Sequence, residues 1–342
     1  MGKPPATARR AGSTITDVAA RAQVSLSTVS RVMNGSTSVD PALAERVREA
    51  ALSLGYSASP LARSLVLGKT QTLAVVVPDL GNPTFQGALR GLSEGASRES
   101  YHVLIADSHE QIDEERVLAI EARRRCDGIV LCAPRMPDDE LAELLPLLAP
   151  VVLINRDPSS SAAASVAADY RSGLTQLLQH LHSLGHHELL YLAGNEKAAS
   201  NRDRLSAIAD FQATHDETRI EVAPCGVGFA EGYAAAETVV ASRTTAVLAF
   251  NDLVAMGLLS ALTERGIRVP EDVSVAGFDD IPFARYTTPP LTTATVPVEE
   301  LGQQAWQRIW ALLNGRAPAY NLSFGPLVVP RGSTGPAPHR PA

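Results

Sequence analysis

Residues 14–34 read TITDVAARAQVSLSTVSRVMN, and this stretch decides how the rest of the chain is interpreted. Its apolar residues recur every three or four positions in two sets, which predicts two short amphipathic helices joined at Ala22–Ser25. Ser25 can cap the second helix by accepting a hydrogen bond from a free backbone N–H group. The outer face of that helix carries hydroxyl groups and Arg31, which are suited to base edges and phosphates in a DNA major groove.

A third helix is predicted next, with Asp40 as N-cap, Pro41 at its first position and Gly55 as its stop. On pattern alone, three short helices are also compatible with a helical cap or a dimerisation module. The charge distribution favours DNA binding: residues 1–69 contain nine Lys/Arg and four Asp/Glu, whereas the remainder contains 21 and 33. A basic head on an acidic body is typical of a nucleic-acid-binding domain joined to a domain with another role.

The whole chain has 342 residues, 45% hydrophobic and 20% charged, which predicts a small domain followed by a large two-lobed one. Because no run of eighteen apolar residues occurs, we expect no membrane span and no membrane partner. The first thirteen residues are polar and basic, so we expect a disordered arm rather than a secretory signal, and a cytoplasmic protein. The three cysteines lack ligand spacing, so we expect buried thiols with no disulfide or metal role.

From Thr72 onward, short β-branched strands alternate with helices, which predicts parallel sheets covered on both faces. The pattern occurs twice, so two similar α/β lobes are expected in tandem. The strands of the first set are TLAVVVP (72–78), YHVLIAD (101–107), CDGIVLCA (126–133) and PVVLINRD (150–157). Those of the second set are ELLYLAG (188–194), IEVAPCG (220–226), TAVLAFN (245–251) and DVSVAGFD (272–279).

Polar residues follow several of these strands. In open α/β sheets ligands bind beyond the C-terminal strand ends, and that rule selects residues 79–85, 155–157, 251–252 and 279–280. The alternative is that Asn251, Asp252 and Asp279 only cap the helices or turns that follow them.

Linked motifs along the chain give a specific resemblance. The residues concerned are Thr16-Asp17-Val18-Ala19, Val24-Ser25, Thr28-Val29-Ser30-Arg31-Val32, Asn34, Gly55-Tyr56 and Ala62-Arg63-Ser64-Leu65. Together they resemble the head and hinge of the lac-repressor (LacI/GalR) family of bacterial transcription regulators. The resemblance implies an all-α helix-turn-helix head, a hinge helix, and a two-lobed core similar to periplasmic sugar-binding proteins, with a parallel-sheet sandwich in each lobe.

The same resemblance implies domain boundaries. After a basic arm at 1–13, the head would span 14–58 and the hinge helix 59–69. The first lobe would comprise 70–162 plus 296–318, the second lobe 163–295 plus 319–334, and residues 335–342 a disordered tail. The Gly/Pro-rich tail contains no leucine heptads, so we expect a homodimer rather than a tetramer.

The family's DNA contacts can be transferred by motif. The resemblance implies that the dimer reads an inverted-repeat operator in double-stranded DNA, with the hinge leucine, Leu65, wedged into the minor groove. The residues expected at DNA are Thr14, Thr16, Ser25, Leu26, Ser27, Thr28, Arg31, Asn34, Ala62 and Leu65.

The resemblance also implies a small effector, a sugar or related metabolite, bound between the lobes. The residues expected to line its pocket are Asp79, Phe85, Arg156, Arg204, Val227, Asn251 and Asp279. Two departures stand out: Cys225-Gly226-Val227 replaces a position that is often aromatic in the family, and Arg204 lacks the usual small-Gly-aromatic continuation. These departures remove the expected aromatic ring from that side of the pocket unless Phe229 provides one.

The predicted function is a DNA-binding transcriptional regulator, a repressor controlled by its effector. One alternative is a corepressor-dependent regulator that binds a nucleobase or phosphorylated metabolite. A second is a solute-binding receptor, which would need an export signal and no basic head. A third is a sugar-processing enzyme, for which Asp279-Asp280 lacks an accompanying nucleophile.

We therefore expect no enzyme activity and no cofactor. The histidines at 180, 182, 186 and 187 do not predict a metal site, because Leu184-Gly185 ends the helix before His186.

Overall fold

The computed structural model describes residues 13–33, 38–56, 68–156, 163–318 and 321–338. The chain divides into two units at Thr70–Gln71. The first unit contains the predicted helical head, formed by α1 (Ile15–Ala22), α2 (Leu26–Met33) and α3 (Pro41–Ser53). These helices enclose a small core in which Val18, Val29 and Val47 are fully buried.

Polar caps fix where the head helices begin. Thr14 and Asp17 form a capping box at α1, each accepting the other's backbone N–H, while Asp40 accepts the N–H groups of Ala42 and Leu43 at α3. Each cap satisfies N–H groups that the helix itself leaves unpaired.

The second unit has two lobes, and the first is built on a six-stranded parallel sheet of order β11-β5-β4-β3-β1-β2. Its strands are β1 (Thr72–Val77), β2 (His102–Asp107), β3 (Gly128–Cys132), β4 (Val151–Ile154), β5 (Ala164–Ala168) and β11 (Leu322–Phe324). Its helices are α4 (Pro83–Arg98), α5 (Ile112–Arg123), α6 (Asp138–Leu148) and α12 (Val298–Leu313). The central strands β1, β3 and β4 are buried almost throughout, as a parallel sheet covered by helices requires.

The second lobe has a four-stranded parallel sheet of order β7-β6-β8-β9. Its strands are β6 (Glu188–Ala193), β7 (Arg219–Pro224), β8 (Ala246–Ala249) and β9 (Ser274–Ala276), with an antiparallel pair formed by β10 (Thr293–Ala294) and β12 (Val328–Val329). Its helices are α7 (Tyr170–Ser183), α8 (Ala199–Gln212), α9 (Phe229–Ala234), α10 (Ala236–Ala241) and α11 (Asp252–Glu264), followed by a 3-10 turn at Pro282–Tyr286. Across the described ranges, no helix combines the length and the apolar character needed to cross a membrane.

The predicted lobe boundary at 163 is wrong, and so is the assignment of all of 319–334 to the second lobe. Strand β5 pairs with β4, and β11 pairs with β5, so both strands belong to the first sheet. The chain therefore crosses between lobes near Asp169, Thr295 and Pro326. These crossings are joined by hydrogen bonds from Asp169 N to Phe324 O at 2.8 Å and from Thr295 N to Leu327 O at 2.8 Å.

Helices α4 and α12 approach closely because a glycine on each helix lies against the backbone of the other. A Cβ on Gly91 would lie 1.9 Å from the carbonyl oxygen of Glu299, and one on Gly302 would lie 2.0 Å from that of Ala88. Beside this contact, the stacked rings of Trp306 and Trp310 have centroids 5.5 Å apart. The first lobe is thus held by a contact that only glycine permits.

The tail expected to be disordered from 335 is instead packed on the second lobe as far as Pro338. Ser333 is fully buried and donates to Val275 O at 2.6 Å, while its Oγ accepts Thr292 N at 2.8 Å. Beyond it, Gly335 O lies 3.0 Å from His186 Nε2, and Ala337 N donates to Leu184 O at 2.9 Å. A segment of small residues can be ordered in this way because its buried backbone groups form hydrogen bonds with the second lobe.

Candidate ligand cavity and nucleic-acid interface

A small cavity of about 30 Å³ lies between the lobes, at the C-terminal ends of strands from both sheets. Both lobes supply its wall, as expected for a ligand site in open α/β sheets. Its lining residues are Asn82, Thr84, Phe85, Glu110, Ala133, Arg135, Asn155, Tyr170, Ser200, Arg204, Val227, Phe250, Asn251 and Asp279.

Arg204, on the first half of α8, dominates the cavity. Its side chain is 1% exposed, and its guanidinium carbon lies 4.1–4.6 Å from the ring centres of Tyr170, Phe250 and Phe278. Within the described part of the chain, Nε and Nη1 of this guanidinium have no hydrogen-bond partner. Since a buried N–H group without a partner costs about 1–3 kcal/mol, Arg204 is well placed to donate to a ligand oxygen.

Asp279 follows β9 and accepts a hydrogen bond from Thr84 Oγ1 at 2.9 Å, which joins the second lobe to the first. Burial raises the pKa of Asp279 to about 6, against the opposing effects of Arg204 and the Thr84 hydroxyl. The cavity therefore combines a permanent cation with a carboxyl group that titrates near neutral pH.

Several lining residues have left-handed backbone conformations. The φ angles are 59° at Glu110, 43° at Ala133, 53° at Asn155 and 109° at Asp279. Such conformations are unfavourable for residues with a Cβ and persist only where the surrounding structure imposes them. Their concentration at strand ends around one cavity is typical of a functional site.

Five of the seven predicted effector residues lie at this cavity: Phe85, Arg204, Val227, Asn251 and Asp279. The amide of Asn251 is already engaged, because its Oδ1 caps α11 at Val254 N and its Nδ2 donates to Val227 O at 2.8 Å. Asn251 thus shapes the wall and also has the capping role that the sequence left open.

The structure does not bring Asp79 or Arg156 to the cavity. Asp79 Oδ1 accepts Gly81 N at 2.7 Å in a local turn. Arg156 is buried, but it donates to the carbonyls of Pro134 and Met136 and to Asp138 Oδ1 at 2.7 Å, so its guanidinium braces the loop after β3. Both side chains have found partners within the first lobe.

Sequence reasoning missed Glu110, Arg135 and Tyr170. Arg135 donates two hydrogen bonds to the carboxylate of Glu110, at 2.7 and 2.8 Å. Glu110 follows β2 and Arg135 follows β3, so the strand-end rule applied to every strand would have selected both. Tyr170 follows β5, a strand that was not predicted.

Aromatic stacking in the cavity also differs from expectation. Phe229 is half exposed and does not line the wall. Phe85, Tyr170 and Phe250 provide the aromatic surface instead. The cavity therefore has aromatic surface from both lobes, without a ring at the 225–229 segment.

Two further hydrogen bonds join the lobes, one at the cavity-lining residue Glu110 and one outside the cavity. Asn195 Nδ2 of the second lobe donates to Glu110 Oε2 at 2.9 Å. Arg202 Nη1 donates to Asp138 Oδ2 at 3.0 Å, on the carboxylate that also accepts Arg156. The described conformation is thus one in which the lobes are closed on each other.

In the head, α2 presents an exposed face. Leu26 is 50% exposed, and Ser27 and Arg31 are exposed on the same short helix. Ser25 Oγ accepts Thr28 N at 3.2 Å and contacts the hydroxyls of Ser27 and Thr28, so these side chains form one polar cluster at the start of α2.

The other predicted DNA contacts are placed less fully. Thr14 and Thr16 are exposed at the start of α1, where the Thr14 hydroxyl donates to Asp17 Oδ2 at 2.8 Å. Asn34, Ala62 and Leu65 lie outside the described residues, as does most of the predicted hinge at 59–69.

Comparison with known sequences matches both units. Residues 14–59 match the profile described as bacterial regulatory proteins, lacI family, and residues 178–334 match a periplasmic binding protein-like domain. The regulator GalR of Escherichia coli strain K12 is 34% identical over 330 residues, covering 94% of this chain and 95% of that protein. The repressor PurR of Vibrio atlanticus is 33% identical over 310 residues, covering 86% and 90%.

Solved structures give the same result. A lac repressor dimer bound to operator and the anti-inducer ONPF superposes with a TM-score of 0.86, 24% identity and coverage of 95% of this chain and all of that one. At that identity the likeness concerns the fold. The regulator CelR in complex with cellobiose is 27% identical, with a TM-score of 0.68 and coverage of 94% and 99%.

Proposed function

The chain belongs to the LacI family of bacterial transcription regulators, and from that premise we propose that a small polyhydroxylated effector, a sugar or close relative, controls its affinity for an operator. The observation that carries this proposal is Arg204, held between three aromatic rings with two nitrogens, Nε and Nη1, free to donate. A planar guanidinium can pair two adjacent hydroxyl oxygens, while aromatic rings cover the apolar face of a sugar. The CelR–cellobiose complex supports the same ligand class.

Asp279 supplies the complementary chemistry. As a carboxylate it accepts hydroxyl protons, so an arginine and an aspartate together can select the arrangement of hydroxyls on a ring. Because Thr84 and Asp279 come from different lobes, a ligand that engages Asp279 also stabilises or breaks the contact between lobes. Ligand binding is thereby linked to lobe closure.

On the DNA side, we propose that a cytoplasmic homodimer presents two α2 helices to the half-sites of an inverted repeat. Leu26, Ser27 and Arg31 would face bases, while Thr14, Thr16 and Ser25 would contact phosphates. Exposure of these side chains on α1 and α2 supports the assignment. The expected cost of removing a base-reading arginine is about 1–3 kcal/mol of specific binding.

A two-step experiment tests the function. A thermal-shift screen of sugars and nucleobases identifies an effector, since a ligand at a hundred times its dissociation constant adds about 2.7 kcal/mol to stability. Titration of operator DNA with and without that effector then measures the coupling.

Two variants distinguish effector binding by the core from DNA binding by the head. Arg204→Ala should lose the effector response while retaining operator binding, whereas Arg31→Ala should weaken operator binding while retaining the effector-induced thermal shift. Arg48→Ala, on the exposed face of α3, is the control for loss of positive charge. An effector response that survives in Arg204→Ala would contradict the proposed ligand site.

A further inference from the structure

Three side chains of the second lobe, His182, His187 and Glu217, form a cluster that we call the His–Glu cluster. One potential ligand atom from each lies within 4.8 Å of those from the other two. His182 lies in the last turn of α7, His187 directly precedes β6, and Glu217 lies two residues before β7. Three separate segments therefore meet at one point on the lobe, and none of the three residues lines the cavity.

The ring of His182 is oriented as a metal ligand needs. Its Nδ1 lies 3.3 Å from the hydroxyl of Thr218, and its Nε2 lies 3.6 Å from Glu217 Oε1. Thr218 is itself buried, so this contact fixes the ring and directs Nε2 toward the carboxylate. Metal-binding histidines usually have their second ring nitrogen held by a hydrogen bond in this way.

The spacing is close to that of a tetrahedral site. Metal–ligand bonds of about 2.0–2.1 Å in a tetrahedron place the ligand atoms about 3.3 Å apart. His182 and Glu217 are already near that separation. His187 and Glu217 are exposed, so their side chains can rotate and bring the three ligand atoms about 1 Å closer together, to tetrahedral spacing.

The backbone that carries the cluster is fixed by hydrogen bonds, so the three side chains can surround a metal ion without any backbone rearrangement. Arg219 N donates to His187 O at 2.7 Å, and Thr218 N donates to His215 O at 2.9 Å. The ring of His215 lies 4.9 Å from that of His182 between centroids and is stacked on Phe211, which provides a wall beside the cluster.

His186, the residue that the sequence pattern drew attention to, is not a member of this cluster. It is buried, with its ring nitrogens next to Thr245 Oγ1 at 2.9 Å and Gly335 O at 3.0 Å. Its role is to hold the C-terminal segment.

We propose that the His–Glu cluster binds one late first-row divalent metal ion, Zn²⁺ in the first instance, through His182, His187 and Glu217 with water as the fourth ligand. Two imidazoles and one carboxylate suit Zn²⁺, Cu²⁺ and Ni²⁺ rather than Mg²⁺ or Ca²⁺, which prefer oxygen ligands. The ion would cross-link the end of α7 to the starts of β6 and β7, and so stabilise the second lobe by mass action.

The test is calorimetric titration of Zn²⁺ into the full-length protein, stripped of metal and freed of any histidine tag. We expect one saturable site per chain and a higher melting temperature with Zn²⁺ than with EDTA. In His187→Gln the affinity should fall at least about tenfold, because a ligand is lost from a three-ligand site. His102→Gln, which removes an exposed histidine of β2, should bind as the unsubstituted protein does.

A second measurement checks the ligand set directly. Co²⁺ loaded into the site should give a visible absorption band typical of tetrahedral coordination, lost in both His187→Gln and Glu217→Gln. Circular dichroism of the metal-free variants establishes that they are folded, which the exposure of both side chains favours. Absence of a saturable site in the unsubstituted protein, or equal affinity in His187→Gln and His102→Gln, would overturn the proposal.

Discussion

Asp279 gives the effector site a pH dependence whose sign can be worked out. Burial raises its pKa to about 6, so the free protein carries a carboxylate at neutral pH and a protonated group below that value. A ligand that donates hydroxyl protons requires the carboxylate. Effector affinity should therefore fall as pH drops through about 6, by roughly tenfold per pH unit well below it.

Effector titrations between about pH 7.5 and 5 measure this dependence. In Asp279→Asn the remaining affinity should be weaker and nearly independent of pH over the same range. A pH profile of Asp279→Asn that parallels the unsubstituted protein would place the titrating group elsewhere.

Residue chemistry was only partly predictable from the sequence. Asp279 and Asn251 follow strands of obvious pattern, and Arg204 was found through a motif. The hydrogen-bond partners of each side chain could not be predicted from the sequence, because those partners are distant in the chain. Arg156 was expected at the ligand, yet its two terminal nitrogens, Nη1 and Nη2, donate to Pro134, Met136 and Asp138.

At the contact between α4 and α12, the substitution Gly91→Ala has two opposing effects on stability. Helix propensity alone predicts that Gly91→Ala stabilises by about 1 kcal/mol. The new Cβ would lie 1.9 Å from Glu299 O, however, so the helices must separate. We expect a net loss of about 1–3 kcal/mol in the free energy of unfolding.

Denaturant unfolding followed by circular dichroism measures the change. Gly325→Ala is the control, because a Cβ added at that position would have no atom within 4 Å of it. An increase in stability for Gly91→Ala would mean that the two helices do not meet as described.

The contact between α6 and α8 across the lobes predicts an effect on ligand affinity. Arg202→Gln removes the hydrogen bond to Asp138 but leaves the contact of Asp138 with Arg156. Because the lost contact exists only when the lobes are closed, a ligand that requires closure must bind more weakly. Arg202 is half exposed, so the effect should be about two- to fivefold.

Effector affinity and dissociation rate measure this effect. Arg171→Gln is a matched control, since Arg171 is also half exposed and pairs with Asp210 within the second lobe. Equal effector affinities of the two variants would show that the α6–α8 contact does not contribute to lobe closure.

At this scale, the sequence predicted the alternating strands well because their apolar runs are long. Strand β5 was missed because ASVAA contains a single β-branched residue and is mostly alanine. Composition predicts a disordered tail from residue 335, yet Gly335 O lies 3.0 Å from His186 Nε2 and Ala337 N donates to Leu184 O. In both cases contacts with neighbouring segments of the fold, rather than local propensity, determine the structure.

For the whole molecule, the prediction is reciprocity between its two ligands. If the effector changes operator affinity by some factor, operator DNA must change effector affinity by the same factor, which is typically about 5- to 150-fold. Operator titrations at saturating effector, and effector titrations at saturating operator, measure the two factors independently.

A nonspecific duplex of equal length is the control for charge alone. Binding to that duplex is electrostatic, falls steeply with salt and should show little effector dependence. Unequal factors with the operator would mean that the assay follows more than one equilibrium.

The stacked pair on α12 has a practical consequence for such measurements. Trp306 and Trp310 are the two tryptophans of the chain, and neither lines the cavity. Selective excitation of indole therefore reports on the first lobe alone, while the second lobe is spectrally silent. An emission change on adding effector would record motion transmitted to α12 rather than quenching by the ligand itself, so the protein carries its own label for long-range coupling.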